Sequence, residues 1–464
     1  MKRILSIVSS LLGLLALGVL VAILVLTFRG LEGEVEPTFQ SSPVAIETET
    51  SPSSSLPETL TPSSPPVTPT ALATSVSLCT FAGHPATIEP GPPLDAFIFS
   101  EPEVVLTHTS AIGIAGWLPD GERLLITRDI PGTNRQSIEI FNTRTGEIQV
   151  YAQREGANGK PVWLPTLRAV AYITLIERCH ELWISHGVSQ LTERLVPNVW
   201  GPSLAVEPDG KHLWYFSRTN PDCPQRLNVE TREAQLVSLD LASLRYPKYP
   251  KPIQSMLRPS PFQIAQHPDG SQLVFYTQPW TFLFDKRTNQ ACEIDLGQSE
   301  PENMPIWAIE TQWSPNGRYL ALITTGSFPG QASGVGAALL HTNLMVLDTK
   351  TGDLRTLQIA PDINNGQHYV TDMSWAPDSR HLAVLGVVRI TETGSEKEGA
   401  FVVDVSSGEF QRVLSGHELG GGLWGWQIAW SLSGSQLAVN CPTPEEGRLC
   451  IISVEPKDTR EEQP

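Results

Sequence analysis

Acid–base chemistry in this 464-residue chain would depend on carboxylates, and two of them could act together. Hydrolases and lyases use clustered carboxylates or histidines to move protons. Glu310 and Asp372 are the carboxylates that could form such a pair in this chain. The ten histidines are scattered, and His267 and His381 fall in or beside a repeated motif. Glu310 and Asp372 are therefore the candidate catalytic residues of an enzymatic alternative.

The sequence lacks the motifs that would supply a nucleophile, a metal set or a phosphate-binding loop. It contains no G-x-S-x-G, no H-E-x-x-H, no Walker loop and no G-x-G-x-x-G followed by a helix. No cysteine pair has C-x-x-C spacing, which argues against a zinc site of the usual type. The sequence predicts a protein that is not an enzyme and that has neither a cofactor nor a metal.

Residues suited to protein recognition are concentrated in two long connecting segments, 241–262 and 416–427. Aromatic and Arg side chains are enriched at protein interfaces. The candidate binding residues are Arg245, Tyr246, Tyr249, Trp424 and Trp426. Two alternatives stay open: the tryptophans pack inside the fold, and the basic segment is a solvated linker that neutralises nearby acids.

A ten-residue motif recurs along the chain and indicates what positions these segments. Its clearest copies are WSPNGRYLAL at 313–322, WAPDSRHLAV at 375–384 and WSLSGSQLAV at 430–439. The seven copies begin at Trp117, Trp163, Val206, Gln266, Trp313, Trp375 and Trp430. A unit of roughly 50 residues that recurs in this way indicates a repeat architecture.

Each repeat predicts a unit of four antiparallel strands. Its Pro-Asp-Gly core predicts a tight turn, since Pro presets φ, Asp bonds to the backbone and Gly accepts a positive φ. Alternating strands such as RYLALIT (318–324) and NLMVLDT (343–349) follow. Because the first of these strands is apolar on both faces, neighbouring units must cover it. The Trp and Pro-Asp-Gly residues are thus predicted to serve packing and turns, not ligand binding.

The motif W-S-P-D-G, followed by an apolar strand and a later T-G turn, resembles the TolB-type, WD-repeat-like β-propeller family over about 115–457. The resemblance implies a propeller, usually outside the cytoplasm and often used to hold another protein, but no single activity. We predict an all-β fold with one seven-bladed β-propeller over 77–457 and a polar tail at 458–464. Residues 103–108, EVVLTH, are expected to pair with the last repeat and close the ring.

The N-terminal part predicts one transmembrane helix and a disordered linker before the propeller. Residues 4–28 carry no charge over 25 positions, against the roughly 20 needed to span a bilayer. Bases in the tail 1–3 precede the span and acids follow it, which places the N-terminus in the cytoplasm. Residues 29–76, rich in Ser, Thr and Pro, predict a disordered stalk. We expect a single-pass protein of the cell membrane with its propeller outside, and a cleaved signal peptide stays an alternative.

All the cysteines follow the predicted anchor, so disulfides are expected in an oxidising compartment. They are Cys79, Cys179, Cys223, Cys292, Cys441 and Cys450. Cys441 and Cys450 flank a short loop between two strands of one repeat, within the reach of a bridge, and we predict a disulfide there. A second could join Cys179 to Cys223, which lie in equivalent loops of adjacent repeats, and the remaining two stay unassigned.

The repeats account for nearly all the chain after residue 77 and predict a non-enzymatic binding module. Its partner is expected to be a protein or a cell-envelope component, and its link to the membrane is the N-terminal helix. The net charge of −17 argues against nucleic acid. One alternative is a hydrolase or lyase with an active site at the channel mouth, which a polar mouth with paired carboxylates would favour. Another is a structural part of an envelope assembly.

Overall fold

A computed structural model shows the fold of most of the chain after residue 74. It describes residues 74–75, 77–81, 91–156, 159–176, 179–187, 192–237, 239–240, 261–277, 280–299, 304–326, 342–357, 359, 366–390, 396–415, 427–443 and 445–457. The chain divides into two compact units, Met1–Pro66 and Val67–Pro464, and every described residue belongs to the second.

Four short strands and one turn of 3₁₀ helix precede the first repeat. They are β1 (Thr74–Ser75), β2 (Ser77–Leu78), the 3₁₀ helix (Leu94–Ala96), β3 (Phe97–Phe99) and β4 (Glu103–His108). The first repeat then forms a blade in the order β5 (Ile112–Trp117), β6 (Arg123–Asp129), β7 (Arg135–Asn142) and β8 (Ile148–Glu155).

The second and third repeats share one seven-stranded sheet. It contains β9 (Val162–Leu164), β10 (Ala169–Ile176), β11 (Cys179–Ser185), β12 (Thr192–Val206), β13 (His212–Ser217), β14 (Asn220–Asn228) and β15 (Ala234–Leu236). The 15-residue strand β12 pairs with β11 along its first part and with β13 along its last part. It therefore ends one repeat and begins the next without a turn.

The remaining repeats form four further blades. After β16 (Leu239–Asp240), which pairs with β1, come β17 (Pro261–Gln266), β18 (Gln272–Thr277), β19 (Trp280–Asp285) and β20 (Gln290–Ile294), joined by β2. The next blade is β21 (Gln298–Ser299), β22 (Met304–Trp313), β23 (Tyr319–Gly326), β24 (Thr342–Asp348) and β25 (Leu354–Leu357). Then follow β26 (Gly366–Trp375), β27 (His381–Ile390), β28 (Glu396–Asp404) and β29 (Phe410–Ser415). The last contains β30 (Ile428–Trp430), β31 (Gln436–Asn440) and β32 (Gly447–Pro456), joined by β3 and β4.

The prediction of a seven-bladed propeller is wrong in its number of blades, and the predicted transmembrane helix is not found among the described residues. The described strands form an all-β propeller with five separate blades, and the repeats at Trp163 and Val206 lie in the seven-stranded sheet. The motif copies count β-turns and not sheet boundaries. Strand β12 runs through the junction of these two repeats, with positive φ at Asn198 and Gly201, and so joins them into one sheet. Within the described ranges no helix is long and apolar enough to cross a membrane, and residues 4–28 lie outside those ranges.

The predicted closure of the ring through residues 103–108 is confirmed. Strand β4 pairs antiparallel with β32, from Glu103 opposite Ile451 to His108 opposite Gly447. The rest of β32 pairs with β3. Segments from before the first repeat therefore close the last blade by backbone hydrogen bonds.

Among the described residues the hydrophobic cores lie between neighbouring sheets, except for one core formed within the seven-stranded sheet, where its two repeats pack on each other. In one of the cores between sheets Tyr319 and Ile323 pack with Trp375, Val384 and Phe401 of the following blade, and all five are buried. The faces of a single blade are too apolar to remain in water, so stacking against the next blade supplies the stability. This packing explains why both faces of the first strand of the motif are apolar.

The acidic residue of the motif caps its turn. Asp378 Oδ1 accepts hydrogen bonds from the backbone N–H groups of Arg380 (2.9 Å) and His381 (3.0 Å). Equivalent bonds are made by Asp120, Asp209, Asp269 and Asn316. The motif glycine adopts a positive φ, 72° at Gly317, and Ser379 takes its place at 62°. The motif is therefore turn chemistry.

Two disulfides connect parts of the second unit. Cys441 and Cys450 are joined with their Cα atoms 5.8 Å apart. Cys79 is joined to Cys292 across 213 residues of sequence. The predicted pair Cys179–Cys223 does not form, because β11 and β14 are three positions apart in their sheet, roughly 14 Å at the usual strand spacing, beyond the reach of a bridge.

Candidate functional site

The first strands of successive repeats lie side by side. Contacts run in series from β9 to β12, β17, β22, β26, β30 and β5, and we call these the inner strands. In each repeat the inner strand leads into the motif turn, so residues at the same distance from the turn lie at the same level of neighbouring inner strands.

Polar side chains occupy the same position on most of the inner strands, three ladder pairs before the motif tryptophan. Glu310 pairs with Ile323, Asp372 with Leu385, and Gly113 with Thr127, each three ladder positions before its motif tryptophan. By the same count the equivalent residues of the seven repeats are Gly113, Lys160, Ser203, Gln263, Glu310, Asp372 and Gln427. We call these residues the inner-strand set.

Four members of the inner-strand set hold the next inner strand in place. Each accepts a hydrogen bond from a backbone N–H group of that strand. The bonds run from Ile264 to Ser203 (3.0 Å), from Thr311 to Gln263 (3.3 Å), from Ile428 to Asp372 (2.8 Å) and from Ile114 to Gln427. These side chains satisfy backbone donors that would otherwise be buried without a partner.

Lys160 joins the two carboxylates that the sequence singled out. Its Nζ lies 2.7 Å from Asp372 Oδ1 and 3.5 Å from Glu310 Oε1. The exposed fraction of the side chain is 2 % for Asp372, 19 % for Glu310 and 39 % for Lys160. The structure therefore brings Glu310 and Asp372 together, with the lysine as the most accessible member.

The charged groups of this cluster shift one another's pKa values. Burial raises the pKa of Glu310 to about 8; the Asp372 carboxylate adds to the rise and the Lys160 ammonium opposes it. Burial would lower the pKa of Lys160, but the carboxylates of Asp372 and Glu310 outweigh it and raise that pKa above its usual range. Near neutral pH the cluster thus contains a charged lysine and a largely protonated Glu310.

A cavity of about 380 Å³ opens beside Lys160. Its polar lining is Thr127, Asp129, Gln136, Arg154, Lys160 and Gln427. Its apolar wall is the start of β5, including Gly113. A Cβ at Gly113 would collide with Thr127 Oγ1 and lie 3.1 Å from Gln427 Oε1, so a larger residue at this position would displace the Thr127 side chain.

Arg154 builds the wall of the cavity next to Lys160. It is 4 % exposed and donates to Gln136 Oε1 (2.8 Å), to the Ile173 carbonyl (3.2 Å) and to the Gly159 carbonyl (2.8 Å). Burial lowers the pKa of Arg154 to about 10. The guanidinium fixes the backbone directly before Lys160 and so determines where the lysine side chain begins.

Sequence reasoning missed Lys160 and Arg154, and the structure leaves the predicted recognition residues untested. Arg245, Tyr246, Tyr249, Trp424 and Trp426 lie outside the described residues and stay predictions. Lys160 had one usable signal in the sequence. It stands three residues before a motif tryptophan, as Glu310 and Asp372 do.

A second acidic cluster has a structural explanation. Ligand atoms of Glu207, Asp209 and His212 lie within 4.8 Å of one another, as in a metal site. The Glu207 carboxylate accepts bonds from Trp214, Arg226 and Lys286. Asp209 caps its motif turn. Packing and turn formation therefore account for both carboxylates.

Comparison with solved structures finds similarity to TolB and WD40 proteins. No protein-family model matches the chain, and no curated protein matches it. TolB from Acinetobacter baumannii is 13 % identical with a TM-score of 0.36, covering 70 % of this chain and 78 % of its own. The C-terminal WD40 domain of Sif2 is 12 % identical with a TM-score of 0.42, covering 76 % and 98 %. Kuenenia stuttgartiensis hydrazine synthase is 12 % identical with a TM-score of 0.36, covering 71 % and 72 %. Similarities this distant carry no conclusion about activity.

Proposed function

We propose that this protein is a non-enzymatic binding module that holds a protein or a cell-envelope component. The hydrogen bonds that Asp372 accepts support this proposal. Its two carboxylate oxygens accept bonds from Lys160 and from the backbone of Ile428, so half of the candidate catalytic pair serves to hold inner strands together. A rigid frame with its polar side chains committed in this way suits recognition by loops.

The recognition residues of this proposal are those of the two long segments, 241–262 and 416–427. Trp424 and Trp426 are the first candidates, followed by Arg245, Tyr246 and Tyr249. Large aromatic and Arg side chains contribute most to binding free energy when a partner covers them. Replacing both tryptophans by Ala should therefore weaken partner binding about tenfold or more.

Capture and crosslinking with the full chain test this proposal. The tagged chain is crosslinked in its native cells, and bound material is identified by mass spectrometry for the wild type, for Trp424→Ala/Trp426→Ala, and for Leu432→Ala as control. Leu432 is 59 % exposed on the described surface. The proposal expects one partner that is depleted by the tryptophan variant and retained by the control. A partner that is retained equally by all three would contradict the assigned surface.

A second candidate function is a hydrolase or lyase with its active site at the same cluster. Glu310 and Asp372 are joined by Lys160, which lines the cavity, and the pKa of Glu310 is raised to about 8. This alternative needs such a group, since a protonated carboxyl can act as a general acid near neutral pH. Turnover of a defined substrate by the wild type, abolished in Glu310→Gln and unchanged in Glu122→Gln, would establish it.

A further inference from the structure

Lys160 is the member of the inner-strand set with free capacity to bind a ligand. A lysine ammonium has three N–H donors. One of them donates to the Asp372 carboxylate at 2.7 Å. The Glu310 carboxylate lies farther from the ammonium, at 3.5 Å. The side chain is 39 % exposed and lines the cavity. A further acceptor can therefore approach the ammonium from the cavity.

The neighbouring wall adds donors of suitable orientation. Gln427 Oε1 accepts the N–H of Ile114, and the side chain, which also carries an amide N–H₂ donor, lines the cavity. Thr127 supplies a hydroxyl group. Between these groups the backbone of residues 111–115 and Pro161 presents apolar surface. The cavity thus combines a cationic donor, neutral donors and an apolar wall.

The charge of the cavity limits how many anionic groups can enter. Asp129 also lines it and accepts a bond from Gln136 at 2.8 Å. A second carboxylate in the same cavity would be repelled by Asp129. The volume of about 380 Å³ falls in the range of a small ligand site. A single carboxylate on a short apolar stem fits both the size and the charge.

We infer that the cavity beside Lys160 binds one carboxylate group on a short apolar stem, presented by a peptide as its C-terminus or as an acidic side chain. This inference rests on the proposed binding function and names the chemistry that one of its sites recognises. The ammonium of Lys160 is the recognition group, Gln427 and Thr127 orient the carboxylate, and Arg154 positions the wall.

Binding of matched peptides to the full chain tests the inference. The probes are Ac-Ala-Leu with a free C-terminus, the same peptide as its C-terminal amide, Ac-Glu-amide and Ac-Gln-amide. Ligand-detected NMR titration should show saturable binding of one or both carboxylate probes and none of the neutral probes. Preference between the first and third probes distinguishes a chain terminus from a side chain.

Substitution of the lysine identifies the site. Lys160→Gln should weaken binding of the carboxylate probe tenfold or more, and Lys211→Gln should leave it unchanged. Lys211 is a matched control because its side chain is similarly exposed (42 %) and also pairs with a carboxylate, that of Glu230, but does not line the cavity. Equal binding by wild type and Lys160→Gln would overturn the inference, as would failure of every carboxylate probe to bind.

A labelling experiment on the wild type avoids dependence on the folding of the variant. Saturating carboxylate probe should slow hydrogen–deuterium exchange in the segments that line the cavity, 111–115 and 159–160, but not around Lys211, measured by mass spectrometry. Unchanged exchange in the lining segments would overturn the inference. Capture of a partner that is depleted by the tryptophan variant would then still support the proposed function, so the two failures are distinguishable.

Discussion

Single polar residues of this protein act mainly on the backbone. The motif aspartates cap turns, and four members of the inner-strand set bond to N–H groups of the next strand. Burying an amide without a partner is costly, so these side chains matter more for stability than their partial exposure suggests. Lys160 differs from them because, among the described residues, its side chain forms ion pairs with Glu310 and Asp372 and does not bond to the backbone of the next strand. Its exposed part is available to a ligand.

Removal of a turn cap should destabilise the protein measurably. Asp378→Ala removes the acceptor of two backbone N–H groups and a contact of 2.6 Å with His381 Nδ1. We expect the free energy of unfolding to fall by about 1–3 kcal/mol, measured by urea denaturation. Asp353→Ala is the control, since Asp353 is exposed, and should change it by less than about 0.5 kcal/mol. Equal effects of the two substitutions would refute the capping role.

Glu310 should make stability depend on pH. Its pKa is raised from 4.5 to about 8 by burial and by Asp372, against the opposing effect of Lys160. Between these two pH values the folded protein binds more protons at Glu310 than the unfolded chain, so the free energy of unfolding decreases as pH rises. Each unit of the shift corresponds to about 1.4 kcal/mol. Urea denaturation measures the free energy of unfolding at pH 5 and at pH 8. Its decrease from pH 5 to pH 8 should be smaller for Glu310→Gln than for the wild type and for Glu122→Gln. A decrease of the same size in all three proteins would refute the raised pKa.

Among the elements, the segment before the first repeat has a role of its own. We call residues 74–81 and 91–99 the N-terminal strap. It pairs with β16 and β20 in parallel, then bonds to Arg380 through the Gly91 carbonyl, and ends on β32 through β3. Cys79–Cys292 fixes it to the blade of β17–β20. The strap therefore connects the outer edges of successive sheets.

The disulfide of the strap should stabilise the fold more than the second one does. In the chain-entropy description the stabilisation grows with the loop that a bridge closes, and the two bridges span 213 and 9 residues. Cys79→Ser/Cys292→Ser should thus lower the free energy of unfolding by about 2–3 kcal/mol more than Cys441→Ser/Cys450→Ser. Denaturation of both double variants measures this difference. A larger loss in the short-loop variant would show that local strain or packing dominates.

The elements with a repeated turn could be predicted from the sequence, and those without one could not. Turn residues and strand alternation predicted the hairpins of each repeat, because both signals are local. The pairing of 103–108 with β32 was predicted because the last repeat contains only three strands of its own. The seven-stranded sheet was missed because β12 has no turn to mark where one repeat ends. The strands β1 and β2 have two residues each, too few to produce a periodic pattern. The cavity depends on residues such as Gly113 and Lys160, which only the register of neighbouring strands brings together.

The whole molecule combines a rigid frame with two long segments that carry aromatic and basic residues. Five blades and one seven-stranded sheet are held by cores between sheets, by the strap and by closure at β32. Its net charge of −17 disfavours nucleic acid as a partner. A frame of this kind can present loops and the cavity beside Lys160 to a partner without reorganising, which lowers the free-energy cost of binding.

The dissociation constant for the crosslinked partner tests the proposed binding function most directly. It is measured with the full chain for the wild type, for Trp424→Ala/Trp426→Ala and for Leu432→Ala, with the thermal unfolding midpoint of each as a check on folding. We predict binding that is about tenfold or more weaker for the tryptophan variant, unchanged for the control, and accompanied by equal unfolding midpoints. Equal affinity in all three proteins, or conversion of the partner to a product by the wild type but not by Glu310→Gln, would contradict a non-enzymatic binding module of this design.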